Sequence, residues 1–133
     1  MSAIRVLLVD DEEEFATGLS KVLRRRGFDV NVAADAASAL RMIHAQCFHV
    51  VLLDVKMPGK DGIQLLGEFK QLAPGMPVIL MSGHLSVSEQ DQGRQMGAFA
   101  YLLKPHPIPE LVSLILEAAG QESSLSKGAS RDP

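Results

Sequence analysis

Four largely uninterrupted apolar runs constrain the fold of this chain more than any other feature. Such short runs, with no regular polar alternation, are typical of strands that are buried on both faces of a parallel sheet. They occupy Ile4 to Val9, Val50 to Leu53, Val78 to Met81 and Phe99 to Leu103. A fifth segment, Asp29 to Ala33, alternates its valines with polar or small residues, so we predict a half-exposed edge strand there.

Segments with the apolar spacing of helices separate these strands. Phe15, Leu19, Val22 and Leu23 lie at positions i, i+4, i+7 and i+8, and similar patterns follow the second and third strands. Asp35 and Asp61 are suited to cap helices, and Ser86 with Glu89 forms a capping-box pattern before a fourth, weakly apolar helix. The alternation predicts an α/β fold: a doubly wound, flavodoxin-like (βα)5 sheet of five parallel strands in the order 2-1-3-4-5.

The chain of 133 residues has the size of a single domain. We predict a domain over residues 1–120 and a disordered tail or the start of a linker over 121–133, where apolar periodicity ends. No apolar run approaches the ~20 residues of a membrane helix and no signal peptide is evident, which predicts a cytoplasmic protein. The net charge of −3 does not indicate direct binding of nucleic acid. We expect the lone Cys47 to be buried.

Acidic residues follow two of the predicted strands. Asp10 and Asp11 come after the first strand and Asp54 ends the third, while Ser82 and Lys104 follow the fourth and fifth. Because ligands bind at the carboxyl ends of the strands in open parallel sheets, we expect these side chains to converge. Carboxylates this close need a neutralising cation, and Mg²⁺ suits their hard oxygen atoms. We assign the Glu residues at positions 12–14 mainly to the first turn of the following helix.

A metal, a carboxylate, a hydroxyl and an ammonium in one pocket favour phosphoryl chemistry. A carboxylate can attack phosphorus and form an aspartyl phosphate, and the positive charges can stabilise the transferred group. The segments VLLVDDE, LLDVKMPGKDG, ILMSG and YLLKP, in this order and spacing, resemble the receiver domain of two-component response regulators, of which the chemotaxis regulators are examples. The resemblance covers roughly residues 3–119.

The resemblance implies a role for each pocket residue. Asp54 would accept the phosphoryl group, and Asp11, Asp54 and the main-chain carbonyl of Lys56 would bind Mg²⁺, with Asp10 acting through a metal-bound water. Ser82 and Lys104 would contact the phosphoryl oxygens. Tyr101 would be the aromatic residue of the conformational switch, and Pro105 would follow a cis peptide bond that aims Lys104. Lys56 would also shield the phosphoryl group and lengthen its lifetime, whereas we expect His84 to be a loop residue without contact to phosphate.

The resemblance also implies partners. A sensor histidine kinase or a phosphotransfer protein would donate the phosphoryl group, and the face formed by the fourth helix, fifth strand and fifth helix would control an output domain or protein. The sequence does not decide whether two copies of the chain form a homodimer on phosphorylation. The protein would not be an enzyme beyond its own phosphotransfer and slow self-dephosphorylation. The sequence departs from the receiver pattern in the segment KPHPIPEL. There, His106 and Pro107 occupy the positions where receivers often have an apolar or aromatic residue and a polar helix cap.

Three other functions compete with this one. A phosphohydrolase with an aspartate nucleophile would resemble a DxDxT pattern, but Val55 and Lys56 follow Asp54. An FMN protein would need a hydroxyl- and glycine-rich loop after the first strand, where Asp10 and Asp11 would repel a phosphate. A receiver fold that works as an interaction module without phosphorylation remains the main alternative.

Overall fold

A computed structural model describes residues 3–57, 59–104 and 106–131. Its main sheet has five parallel strands: β1 (Arg5–Val9), β2 (Asp29–Ala33), β3 (Val50–Asp54), β4 (Val78–Ser82) and β5 (Ala100–Leu103). Their order is β2-β1-β3-β4-β5, which confirms the predicted topology. A two-residue antiparallel pair, Lys56–Met57 with Lys60–Asp61, follows β3.

Five helices connect or follow the strands: α1 (Glu13–Arg25), α2 (Ala36–Ala45), α3 (Gly62–Leu72), α4 (Val87–Gln95) and α5 (Ile108–Arg131). The Asp35 carboxylate caps α2 by accepting from the Ser38 N–H, and the Asp61 carboxylate caps α3 by accepting from the Ile63 N–H. Both caps confirm the sequence prediction. Gly27 ends the turn after α1 with a positive φ of 93°, which glycine adopts without strain.

The core lies on both faces of the sheet. Alternate residues of β1 point to opposite sides, so Leu7 joins one apolar cluster and Leu8 the other. Helices α2 and α3 cover the Leu7 side through residues such as Ala39 and Phe69. Helices α1 and α5 cover the Leu8 side. All five residues of β3 and of β4 are buried, as expected for central strands of a sheet with helices on both faces.

Two burial predictions were wrong. The fifth strand was expected to be buried on both faces, but β5 is an edge strand without a fully buried residue, and Leu103 is 58% exposed. Cys47 was expected to be buried but is exposed. It lies between α2 and β3, where the chain reverses direction, while its neighbour Phe48 supplies the buried apolar side chain. A residue at a chain reversal shares neither the helical nor the strand periodicity of its neighbours.

Helix α5 differs in extent from the prediction. Its helical backbone continues past Gly120 to Arg131, although an irregular segment was expected from residue 121. The division of the chain at residue 120, and the role of residues 121–133 as a tail or linker, stay predictions. Among the residues that the structure describes, no helix combines the length and apolar character needed to cross a membrane.

Helix α4 is held to the domain by few apolar contacts. Its only fully buried residue is Gly93, and Val87 is 73% exposed. A Cβ at Gly93 would lie 2.6 Å from Leu80 Cδ1, so the absent side chain lets the helix approach β4 closely. The capping box predicted for Ser86 and Glu89 is present at its first turn. Polar contacts therefore supply much of what orients this helix.

Candidate functional site

The carboxyl ends of four strands deliver the polar side chains of the site. Asp54 is the last residue of β3 and pairs in register with Met81, while Ser82 ends β4 and pairs with Leu103. The Lys104 N–H donates to the Ser82 carbonyl at 2.8 Å, so Lys104 directly follows the last rung of the sheet. Asp10 follows β1, and its N–H donates to the Ala33 carbonyl of β2 at 3.0 Å. The structure therefore brings Asp10, Asp54 and Lys104 into contact and places Ser82 at the end of the neighbouring strand.

Lys104 links the carboxylates of the site. Its ammonium lies 2.9 Å from Asp10 Oδ2 and 3.4 Å from Asp54 Oδ2, and it also contacts the Glu12 carboxylate. The Lys104 side chain is only 8% exposed, and those of Asp10 and Asp54 are 0% and 4% exposed. One ammonium faces three carboxylates, so the site carries an excess of negative charge, and two of these carboxylates are almost inaccessible to water.

This donor set fits a divalent cation. Asp10, Glu12 and Asp54 each offer an oxygen atom, and these atoms all lie within 4.8 Å of one another. Hard oxygen ligands with surplus negative charge are what Mg²⁺ prefers. Asp11, which the resemblance to receiver domains implies to be a direct ligand, is exposed and does not belong to this group. Its role in metal binding stays a prediction.

Glu12 is the site residue that the sequence reasoning missed. The sequence assigns positions 12–14 mainly to the first helical turn and leaves room for at most one of them in the pocket, without indicating which; the Glu12 carboxylate contacts Lys104 and joins the acidic group. It precedes α1 as the N-cap residue and makes no side-chain cap, and its N–H donates to Asp10 Oδ1 at 2.9 Å. Its position directly after Asp10 and Asp11 was the only signal in the sequence.

The Asp54 carboxylate is protonated more easily than an ordinary one. Burial, together with the nearby charge of Asp10, raises the pKa of Asp54 to about 6, although the Lys56 N–H and Lys104 act in the opposite direction. Burial by itself would lower the pKa of Lys104, but its contacts with Glu12, Asp10 and Asp54 outweigh burial and raise it. At neutral pH the lysine is therefore charged, and Asp54 is mostly ionised.

The raised pKa of Asp54 predicts a dependence of stability on pH. The folded state binds more protons than the unfolded state between about pH 4 and 6, so stability should fall as pH rises through this window. Replacing Asp54 with Asn should remove this loss and raise the free energy of unfolding at pH 7.5, without divalent cations, by about 1–3 kcal/mol. Urea unfolding at pH 4.5 and 7.5 measures both quantities.

Asp35→Asn serves as the control for that experiment. Hydrogen bonds from Ser38 lower the pKa of Asp35, so its contribution to stability is present above the unfolded pKa and is lost as pH falls. This substitution should not raise stability at pH 7.5. An Asp54→Asn variant no more stable than wild type at pH 7.5 would contradict the prediction.

Ser82 and Tyr101 have defined partners. The Ser82 hydroxyl is fully buried, donates to the His84 carbonyl at 2.9 Å and accepts from the His84 N–H at 3.2 Å. Tyr101 is half-buried, and its hydroxyl accepts a hydrogen bond of 2.6 Å from Arg94 of α4. The Arg94 guanidinium also lies 5.6 Å from the centre of the Tyr101 ring. Pro105, predicted to belong to the switch, lies outside the described residues.

Lys56 reaches from the site to α4. Its N–H donates to Asp54 Oδ1 at 3.0 Å, which places its main chain beside the carboxylate. Its ammonium points elsewhere and lies 2.5 Å from Glu89 Oε2. The main-chain position suits the carbonyl role that the sequence predicts, whereas the side chain does not contact Asp54 directly.

Comparisons with known proteins agree with this geometry. A family model described as the response regulator receiver domain matches residues 6–116. Regulatory protein AtoC of Escherichia coli K12 is 37% identical over 128 residues, which is 96% of this chain and 28% of AtoC. The chain spans between a quarter and about half of the length of the curated relatives it matches first, 25% and 54% for two of them.

Solved structures with the same fold include separate domains and longer proteins. A CheY-like receiver domain protein from Methanospirillum hungatei has a TM-score of 0.89 and 31% identity, covering 92% of this chain and 98% of that one. A response regulator from Burkholderia pseudomallei, described with a phosphorylated aspartic acid, a calcium ion and citrate, has a TM-score of 0.81 and 26% identity. The match covers 98% of this chain and 75% of the Burkholderia chain.

Proposed function

Because the chain belongs to the response regulator receiver domain family, we propose that Asp54 accepts a phosphoryl group from a histidine kinase or phosphotransfer protein. The observation that carries the proposal is the buried Asp54 carboxylate, which lies 3.4 Å from the Lys104 ammonium and within the acidic group of Asp10 and Glu12. A buried nucleophile with a cation beside it is arranged for an anionic substrate. The relative with a phosphorylated aspartic acid supports the same assignment.

The proposed transfer needs positioning rather than removal of a proton. An Asp54 carboxylate oxygen forms a bond to phosphorus, and the bond between phosphorus and the donor nitrogen of a phosphohistidine breaks. The donor nitrogen keeps the electron pair, and when the other ring nitrogen of the phosphohistidine is protonated the donor leaves as a neutral imidazole. Lys104 is already at hydrogen-bond distance from Asp54 and would pair with a phosphoryl oxygen as charge develops. In self-dephosphorylation, water supplies the oxygen that displaces the Asp54 carboxylate, which releases inorganic phosphate.

Mg²⁺ is the proposed cofactor. Asp10, Glu12 and Asp54 would hold it as oxygen donors, together with Asp11 and the Lys56 carbonyl that the sequence predicts. When bound, the ion neutralises charge on the transferred group. Lys104 then no longer needs to pair with all three carboxylates, so its ammonium becomes available to a phosphoryl oxygen.

The proposed response travels through Ser82 and Tyr101. The Ser82 hydroxyl donates to the His84 carbonyl at 2.9 Å. A phosphoryl oxygen on Asp54 would compete with that carbonyl for the hydroxyl. Movement of the β4–α4 loop would then let Tyr101 leave Arg94 and turn inward. The surface of α4, β5 and α5 would change shape, and an output domain or protein in the cytoplasm would bind or dissociate there.

An apolar groove beside the site suits a docking donor. It has a volume of about 370 Å³ and lies between α1 and the start of α5, with Phe15, Leu19 and Ile108 in its lining. The Lys104 ammonium lies 4.4 Å from the centre of the Phe15 ring, so the groove borders the acceptor pocket. A donor protein bound there would present its phosphohistidine next to Asp54.

Incubation with acetyl phosphate tests the proposal. Wild-type protein should gain one phosphoryl adduct by intact mass in the presence of Mg²⁺ and none in EDTA, because uncompensated carboxylates repel the donor dianion. Asp54→Asn should gain none, and Asp11→Ala should gain less. Glu13→Gln, an exposed acid of the same segment, is the matched control and should behave as wild type. Absence of an adduct in wild type would instead favour the interaction module that works without phosphorylation.

A further inference from the structure

Glu89 joins two parts of the molecule that are distant in sequence. Its Oε2 lies 2.5 Å from the Lys56 ammonium. Its Oε1 accepts from the Ser86 N–H at 3.0 Å and contacts the Ser86 hydroxyl at 3.2 Å, while the Glu89 N–H donates to that hydroxyl at 3.1 Å. One carboxylate therefore caps the first turn of α4 and binds the lysine beside the acceptor.

The ion pair between Lys56 and Glu89 is suited to an exchange of partners. The Lys56 main chain is fixed to Asp54 by the 3.0 Å hydrogen bond of its N–H, but its side chain is 53% exposed. Ion pairs with this much exposure contribute about 0.2–1 kcal/mol, so the ammonium can leave Glu89 at little cost.

We propose that Glu89 is a positioning residue that holds the Lys56 ammonium away from Asp54 until a phosphoryl group competes for it. The inference rests on the proposed phosphorylation of Asp54 and concerns what sets the lifetime of that state. A phosphoryl group carries more negative charge than one carboxylate and attracts the same ammonium. Lys56 divides its time between the phosphoryl group, which it shields from water, and Glu89, where it shields nothing.

The same exchange connects the site with α4. When Lys56 turns to the phosphoryl group, α4 keeps its capping box but loses its ionic link to the β3–α3 loop. Because Gly93 is its only fully buried residue, α4 has few apolar contacts to oppose the small change that loss of this weak ion pair causes. Through Glu89, the state of Asp54 would then also reach α4, alongside the proposed route through Ser82 and Tyr101.

A cycle of four proteins tests the inference: wild type, Glu89→Gln, Lys56→Met and the double variant. Gln at this capping-box position still accepts from the Ser86 N–H, so the helix cap is kept while the ion pair is lost. After a pulse of acetyl phosphate and Mg²⁺, the half-life of the adduct is followed by intact mass. Glu89→Gln should lengthen it by about two- to fivefold, the worth of one exposed ion pair. Lys56→Met should shorten it, and the double variant should match Lys56→Met.

Each contrary outcome has one meaning. Asp91→Asn, which removes another α4 acid that pairs with Arg94 at 3.2 Å, should leave the half-life unchanged. If it acts like Glu89→Gln, the effect is one of helix charge and the inference is overturned. If Glu89→Gln lengthens the half-life equally with and without Lys56, Glu89 acts through helix structure alone, which also overturns it. Equal half-lives in all four proteins refute the inference but leave the phosphorylation standing, whereas no adduct at all refutes both.

Discussion

Lys104→Met is expected to lower the free energy of unfolding by about 3 kcal/mol or more in EDTA, because it leaves buried carboxylates without their cation. Lys104 contacts Asp10, Glu12 and Asp54 with a side chain that is 8% exposed. Methionine has a similar volume, so a cavity contributes little to the loss. Mg²⁺ should recover more stability in the variant than in wild type, since its acids have no competing ammonium. Urea unfolding with and without Mg²⁺ measures both effects.

Lys56→Met is the matched control for this substitution. Its side chain is 53% exposed and pairs with one carboxylate, so its loss should cost about 1 kcal/mol or less. Equal stability of the Lys104→Met and wild-type proteins would mean that the Lys104 ion pairs contribute nothing net to folding. A variant insensitive to Mg²⁺ would argue against the acidic group as a metal site.

Gly62→Ala is expected to destabilise the protein strongly and to disturb the site. A Cβ at Gly62, the first residue of α3, would lie 2.5 Å from Val55 Cα and 2.8 Å from the Val55 carbonyl oxygen. These are main-chain atoms and cannot move aside as a side chain can, so we expect a loss of about 3 kcal/mol or more. The melting temperature should fall by about 10 °C, as measured by circular dichroism. Because Val55 follows Asp54, adduct formation should fall as well.

Gly67→Ala separates this clash from a general effect of alanine in α3. A Cβ there would meet only the Met96 Cε atom at 2.5 Å, which is the end of a flexible side chain. The higher helix propensity of alanine should offset that contact to within about 1 kcal/mol. If Gly62→Ala were as stable as Gly67→Ala, the close approach of α3 to Val55 would not be needed for the fold.

The fold followed from features that are local in sequence. Buried parallel strands can be recognised in a sequence as apolar runs. Helix caps such as Asp35 and Asp61 depend on residues only two or three positions away. The prediction failed where tertiary context decides burial. The apolar residues of β5 resemble those of a central strand, yet β5 lies at the edge of the sheet and contains no fully buried residue.

The candidate site was predictable in part for the same reason. Asp10, Asp54, Ser82 and Lys104 each end or follow a strand, and the predicted strand order places them at the same edge of the sheet, where Lys104 contacts Asp10 and Asp54. The contacts of Glu12 with Lys104 and of Glu89 with Lys56 depend on how long side chains turn after the main chain is placed. Neither residue spacing nor composition predicts these side-chain directions. For Glu89, the sequence pattern indicates only the capping box.

The ion pairs of Lys104 have a kinetic consequence as well. They join residues that are 94, 92 and 50 positions apart in the chain, and contacts that close such long loops are costly to form early in folding. We expect Lys104 to reach the acids only after β5 has joined the sheet, so that a chain folded as far as β4 would hold its carboxylates without their cation. Interactions formed this late act mainly on the rate of unfolding, which makes Lys104 a determinant of how long the folded receiver survives rather than of how fast it is made.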